Sequence, residues 1–290
     1  MNGILLIDKP SGWTSNDVVQ KLRGALHERR IGHAGTLDPM ATGLLTVFVG
    51  RATRAVEFAE SDEKTYIAGL RLGIVTDTQD ITGTILQTGS VSNITPELLE
   101  HALQAFRGTI RQIPPMYSAV RVNGQRLYDL ARQGKTVERA SREIRIDELR
   151  ILEGKDTDWT LFVRCSKGTY IRTLCHDLGA LLGCGGCMSY LRRTAAGAFQ
   201  VSDAVTLVDA VRLAAEGKAE ELLIPTDRLF MQYGELILGE SEEKRLRNGS
   251  QVYGSASDGV YRVYSERRVF LALARCSGGE LRSIKSFFEV

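Results

Sequence analysis

The chain has 290 residues, 43% hydrophobic and 25% charged, a globular balance with room for about two domains. Its 37 Lys and Arg stand against 35 Asp and Glu, a net charge of +2. Bulk basicity is therefore excluded as a route to nucleic acid, and any such surface has to come from local clustering. No apolar run approaches the ~18 residues of a membrane span. The N-terminus lacks the basic flank of a signal peptide, and five cysteines in a chain this long do not make a disulfide scaffold. These features lead us to expect a reducing cytoplasm.

In chain order, residues 3–8 read as a strand and residues 15–28 as a helix, with Val18, Val19, Leu22 and Leu26 on one side and Ser15 or Asn16 as the cap. Glycines then dominate residues 32–50, interrupted by the β-type run 44–49. Residues 65–72 read as a strand, and 95–106 as a helix opened by Thr95-Pro96. Residues 161–166 read as a strand, and 170–182 as a helix ended by Gly183. From about Tyr233 a short helix (241–248) precedes three β runs at 259–265, 268–276 and 280–289, a small β-rich C-terminal module.

Residues 107–150 hold nine arginines and one lysine against five acids, a local excess of +5. Arginine suits bidentate phosphate contacts, although a solvated, salt-bridged surface has the same composition.

The segment richest in chemical information is Gly32-His-Ala-Gly-Thr-Leu-Asp-Pro-Met-Ala-Thr-Gly-Leu-Leu45. Pro39 pushes Asp38 towards extended geometry, and the flanking glycines permit tight turns and close approach of a ligand. The pattern describes a carboxylate on a stiff loop, with the polar ring of His33 five residues earlier.

This string resembles the TruB family of tRNA pseudouridine-55 synthases. Further blocks are similar and follow the family's order: Lys9-Pro-Ser-Gly-Trp-Thr-Ser15, Glu63-Lys-Thr-Tyr66, Leu72-Gly-Ile-Val-Thr-Asp-Thr-Gln-Asp80, Gln112-Ile-Pro-Pro-Met-Tyr-Ser-Ala-Val120, Lys167-Gly-Thr-Tyr-Ile-Arg172 and Leu191-Arg-Arg-Thr194. The resemblance implies an α+β fold around a large, mostly antiparallel mixed sheet. It divides the chain into a catalytic domain, residues 1–232, with a thumb-loop insert at about 114–145, and a β-rich PUA-like RNA-binding domain, residues 233–290.

By the same resemblance Asp38 is the catalytic carboxylate, Tyr66 the active-site tyrosine, and Arg172 the arginine that pairs with the carboxylate. Such a partner would keep a buried carboxylate ionised. Tyr170 and Leu191 line the uracil pocket, and His33 fills the space that the extruded base leaves. Lys9 and Pro10 brace the pocket wall. If residues 170–172 were a strand end, Tyr170 and Arg172 would project alike. The implied substrate is the T-stem-loop of tRNA, with no cofactor, no metal, no membrane and no obligate protein partner or guide RNA. Attack of the carboxylate at C6 of the base, attack at C1′, and a glycal route all fit the residues.

Other signals point less far. Cys184-Gly-Gly-Cys187 with Cys175-His176 offers four zinc ligands, yet adjacent ligands on a helix splay apart and structural zinc sites use separated pairs. Many family members have Gly-Ala-His where this chain has Gly186-Cys187-Met188. Asp77 and Asp80 lack EF-hand spacing and read as turn formers. A folding helper for RNA and a guide-dependent synthase are the rival RNA-binding readings. A glycoside hydrolase needs a second carboxylate, and only Asp38 has a motif context.

Overall fold

The computed structural model describes residues 1–59, 63–122, 124–253 and 256–288. The chain forms two compact units, one of Met1–Pro39, Leu44–Glu60 and Asp203–Val290, the other of Met40–Gly43 and Ser61–Ser202. The fold is α+β, with a mixed, mostly antiparallel main sheet and a smaller C-terminal sheet. No helix among the described residues is long and apolar enough to cross a membrane.

In the first unit, strand Gly3–Lys9 leads through a short turn into helix Ser15–Leu26. Thr14 caps this helix, in place of the Ser15 or Asn16 expected. Its hydroxyl accepts the Asp17 N–H at 3.0 Å while the Asp17 carboxylate accepts the Thr14 N–H at 2.9 Å, a reciprocal capping box. His27, left-handed at φ 51°, ends the helix two residues before the expected limit. Val18, Val19, Leu22 and Leu26 form one apolar stripe, packed in a core with Leu5, Ile7, Leu45 and Val47. Ile31–Ala34, which the glycine content marks as loop, is a strand antiparallel to the 46–49 stretch of Thr42–Val49. Ladder pairing and the burial of Ile31 and Ala34 override the weak local propensity.

The C-terminal sheet has the order Gly234–Leu238, Gly259–Ser265, Phe270–Ser277, Glu280–Ser286, Val252–Tyr253. Its first strand, parallel to Gly259–Ser265, escapes sequence reading because three of its five residues are exposed and no alternation survives. The third expected run stops at Ser286, and its end at Glu289 lies outside the described residues. Phe58 meets Phe230 edge-on at 5.2 Å, and Phe270 stacks on Phe287 at 5.0 Å.

In the second unit five strands run antiparallel in the order Gly186–Ala196, Lys64–Leu72, Asp158–Cys165, Arg142–Lys155, Gly108–Gln112. Helix Ile171–Leu181 packs on the first of these. A Cβ on Gly179 would lie 2.0 Å from the Gly186 nitrogen, so the pair of glycines sets this close approach. Thr42 and Gly43 pair in parallel with Arg192 and Arg193. Gly43 has φ 98°, and a Cβ there would sit 2.2 Å from the Arg193 carbonyl oxygen, so no other residue fits.

Candidate active site

Lys9, Pro10, His33 and Asp38 lie in the first unit, and Tyr66, Tyr170, Arg172 and Leu191 in the second. Asp38, half-buried, follows strand Ile31–Ala34 and a bend at Gly35 with φ 71°. The residues on either side of it are pinned. The Leu37 N–H donates to Ser15 Oγ at 2.9 Å, and the same hydroxyl donates to the Leu37 carbonyl at 3.3 Å. On the other side, the Pro39 carbonyl accepts the Gly12 N–H at 2.8 Å and the Lys9 ammonium at 3.3 Å. Lys9 is fully buried and also donates to the carbonyls of Pro10, at 2.9 Å, and Trp13, at 2.6 Å. Three donated bonds are what a buried ammonium needs. The turn Lys9–Ser15 is thus a bracket around the carboxylate loop. His33 is not on that loop but on the strand before it, opposite Val47.

In the second unit, Tyr66 on strand Lys64–Leu72 is buried and stands opposite Arg193 on Gly186–Ala196, while Leu191 stands opposite Ala68. Opposed residues of an antiparallel pair share a face, and so do residues two apart. Tyr66, Leu191 and the fully buried Arg193 therefore occupy one face.

Tyr170 and Arg172 are not a strand end. Tyr170 is the N-cap and Arg172 the second residue of helix Ile171–Leu181, so they do not project as alternate strand residues would. Arg172 is buried and donates to the carbonyls of Thr78, at 3.1 Å, and Tyr117, at 2.7 Å. Its Nη1 is also 3.9 Å from Asp80 Oδ2. Asp80, read from sequence as a turn former, is buried, and its carboxylate accepts from Thr78 Oγ1 at 2.9 Å and from Thr82 N and Oγ1 at 3.0 and 2.6 Å. Neighbouring Gln79 is left-handed at φ 62°, and its side-chain oxygen accepts from Thr173 at 2.9 Å. The Thr-Asp-Thr-Gln-Asp block is therefore a cradle for the first turn of this helix. Its place in the motif order was the available signal.

The expected thumb holds a small hairpin, Arg121–Val122 with Gln125–Arg126, and helix Leu127–Arg132. Tyr128 lies between Arg126 and Arg132, whose guanidinium carbons are 5.8 and 5.4 Å from its ring centre. Arg121, Arg126 and Arg132 line an open concavity. This arrangement presents cations and a π-face together.

Among the described residues no group of three or more His, Cys, Asp or Glu is placed to hold a metal. Burial pushes the Cys165 thiol up to about 12 and that of Cys187 up to about 11, and it raises Cys175 as well. These are structural, unreactive thiols.

Against known proteins, residues 23–171 match the N-terminal domain of TruB family pseudouridylate synthase, and residues 172–231 match the tRNA pseudouridylate synthase B C-terminal domain. A tRNA pseudouridine synthase B of Clostridium acetobutylicum is 42% identical over 292 residues, covering 98% of this chain and 99% of the relative. That of Clostridium kluyveri is 39% identical over 295 residues, covering 99% and 100%. Among solved structures, Cbf5 in a Cbf5–Nop10–Gar1 complex shares the fold, with a TM-score of 0.74 at 24% identity over 99% of this chain and 85% of that one. The fold is thus that of the pseudouridine synthases. The chain belongs to the TruB family.

Proposed function

We propose that this chain isomerises uridine to pseudouridine at position 55 in the T-loop of tRNA, with Asp38 as the catalytic carboxylate. The observation that carries the reading is the bracket around Asp38: both neighbours of one half-buried carboxylate are fixed by main-chain bonds, in a chain of this family. Fixing the nucleophile in advance removes most of its orientational cost.

The reaction breaks the N1–C1′ bond, turns the uracil, forms a C5–C1′ bond and exchanges the C5 proton for one on N1. Atoms and electrons balance within the substrate, so the stoichiometry calls for no cofactor. The uridine leaves its stack to be reached. His33 takes its place in the loop. Tyr66 stacks on the extruded base and relays a proton, and Tyr170 and Leu191 line the pocket. Arg172 is the partner that the family resemblance assigns to the Asp38 carboxylate. Lys9 and Pro10 brace the wall.

The insert at 114–145 folds over the RNA, and residues 233–290 act as a PUA-like RNA-binding module. The chain works alone, without guide RNA or protein partner, in the compartment of its substrate, the cytoplasm. The test is incubation of the purified chain with an unmodified T-stem-loop, followed by mapping of pseudouridine. Conversion of the T-loop uridine is the expected result. No conversion by folded protein, or conversion only with added proteins or guide RNA, would end this reading or its stand-alone form.

A further inference from the structure

The side chain of Gln112 makes two hydrogen bonds to a single residue. Gln112 ends strand Gly108–Gln112 and is 2% exposed. Its Oε1 accepts the Tyr170 N–H at 2.8 Å, and its Nε2 donates to the Tyr170 carbonyl at 3.0 Å. Tyr170 starts helix Ile171–Leu181 with no side-chain cap of its own, and its carbonyl also accepts the first helical bond, from Leu174 at 3.1 Å. Both main-chain groups at the helix entry therefore depend on an amide 58 positions earlier in the chain.

The other side of Tyr170 is held from the partner strand. Arg142, the register partner of Gln112, places its guanidinium 4.5 Å from the centre of the tyrosine ring and donates to the Gly168 carbonyl. Gln112 and Arg142 are the two roots of the arginine-rich insert, and Tyr117 inside that insert accepts from Arg172. The insert thus grips, at its roots and along its first arm, the N-cap Tyr170 and the second helical residue Arg172.

We propose that Gln112 is a positioning residue. It touches no substrate, but its amide fixes the Tyr170 main chain, and with it the first helical turn that carries Arg172, so that the base pocket is built from the root of the insert that receives the RNA. The proposal rests on the functional reading above, through the roles of Tyr170 and Arg172 in it.

Two variants separate positioning from bulk. Gln112→Met keeps length and volume but neither donates nor accepts well. Gln112→Glu as a carboxylate accepts but cannot donate, whereas its neutral acid does both. Under single-turnover conditions with saturating T-stem-loop, Gln112→Met is expected to lose about a hundredfold in rate, the scale of a small misplacement of reacting groups, with RNA affinity unchanged and the deficit flat with pH. Gln112→Glu is expected to show a deficit that narrows relative to wild type as pH falls from about 8.5 to about 5.5, because burial raises the carboxyl into that range.

Amide hydrogen exchange at Tyr170 reads the clamp without any activity and is expected to speed up in Gln112→Met. Wild-type rates at saturating RNA for Gln112→Met, a loss that more RNA restores, or a Gln112→Glu deficit that does not move with pH would each overturn the proposal. So would unchanged exchange at Tyr170. If Gln112→Met does not fold, the pH series of Gln112→Glu decides. An inactive wild type would strike the functional reading instead, while the exchange measurement still judges the clamp.

Discussion

The Asp38 loop and the start of helix Ile171–Leu181 are both held by hydrogen bonds to main-chain groups, but from very different distances along the chain. Asp38 is bracketed by residues 9–15, at most 30 positions away, in a turn that no insertion interrupts. The helix entry is held by Gln112, Thr78 and Tyr117, which lie 55–94 positions away. Short brackets need only the local chain. Long ones depend on the sheet and on an insert that can be engaged from outside. On the functional reading proposed above, the catalytic carboxylate is held by its local chain, whereas the groups assigned to the base pocket are held from far along it.

The most severe way to break this contrast is to remove the carboxylate itself. Asp38→Asn preserves shape and the bracket, so on the functional reading proposed above RNA binding is expected to stay at wild type while turnover falls by about four orders of magnitude or more, the scale of removing an essential catalytic group. Filter binding and pseudouridine mapping on one preparation check both halves. Turnover within tenfold of wild type (about 1.4 kcal/mol) would remove Asp38 from the mechanism.

Next in size is Arg172→Ala. It leaves the buried Asp80 carboxylate and the carbonyls of Thr78 and Tyr117 without their cation. Breaking such a buried arrangement costs about 3–5 kcal/mol of stability, so both urea midpoint and rate should drop. Arg172→Lys should recover stability better than rate, because a point charge cannot serve two separated carbonyls as a planar fork does.

What the sequence made legible follows the same division. The Asp38 segment could be found because its constraints are local: Pro39, the glycines and the Lys9–Ser15 block all lie within one short stretch. Even there the mechanism of bracing was hidden. Ser15 looked like a helix cap but spends its hydroxyl on Leu37, while Thr14 does the capping. Asp80 was legible as a turn former, through bonds to Thr78 and Thr82, but not as a neighbour of Arg172, and Gln112 could be quoted as a motif member but given no role, because Tyr170 lies 58 positions away. Strand Ile31–Ala34 was hidden because its pairing with residues 46–49, and not its own glycine-containing sequence, makes it a strand, whereas the helix expected over 170–182 is present as Ile171–Leu181 with Tyr170 as its N-cap. The α+β class came with the family resemblance and matches the observed sheets, whereas helix Ser15–Leu26 was legible by itself because the stripe of Val18, Val19, Leu22 and Leu26 is a local pattern.

A smaller effect sharpens the contrast from the first region. Lys9→Met keeps the buried stem and deletes the ammonium, leaving the carbonyls of Trp13 and Pro10 with one donor fewer. A stability loss of about 1–3 kcal/mol is expected, with a fall in rate of about tenfold to a hundredfold through Asp38 placement. Ser15→Ala should do less on both counts, since the Lys9 side of the bracket remains. A rate loss for Ser15→Ala larger than for Lys9→Met would make Ser15 the stronger of the two braces and reverse their ranking.

The mildest test uses pH, and it separates the two units. The second unit holds Cys165 and Cys187, whose thiols burial pushes up to about 12 and about 11 from an ordinary value of 9.0, and Cys175, raised in the same direction. Unfolded thiols release protons from pH near 9 while the folded ones still hold theirs. Between those limits the folded state binds more protons, so stability is complete below about 9 and declines as pH rises. In the first unit the corresponding group is Tyr264, which burial and the adjacent Asp227 carboxylate hold protonated above the ordinary tyrosine value of 10.0. Its contribution starts to decline about one pH unit later. Urea midpoints taken from pH 8 to pH 10 should therefore fall, and hydrogen exchange should show the second unit loosening first. Replacing Cys165, Cys175 and Cys187 by Ala should flatten the decline below pH 10 without abolishing pseudouridine formation. A decline of equal slope in that variant would mean that the alkaline sensitivity lies elsewhere than in these three thiols.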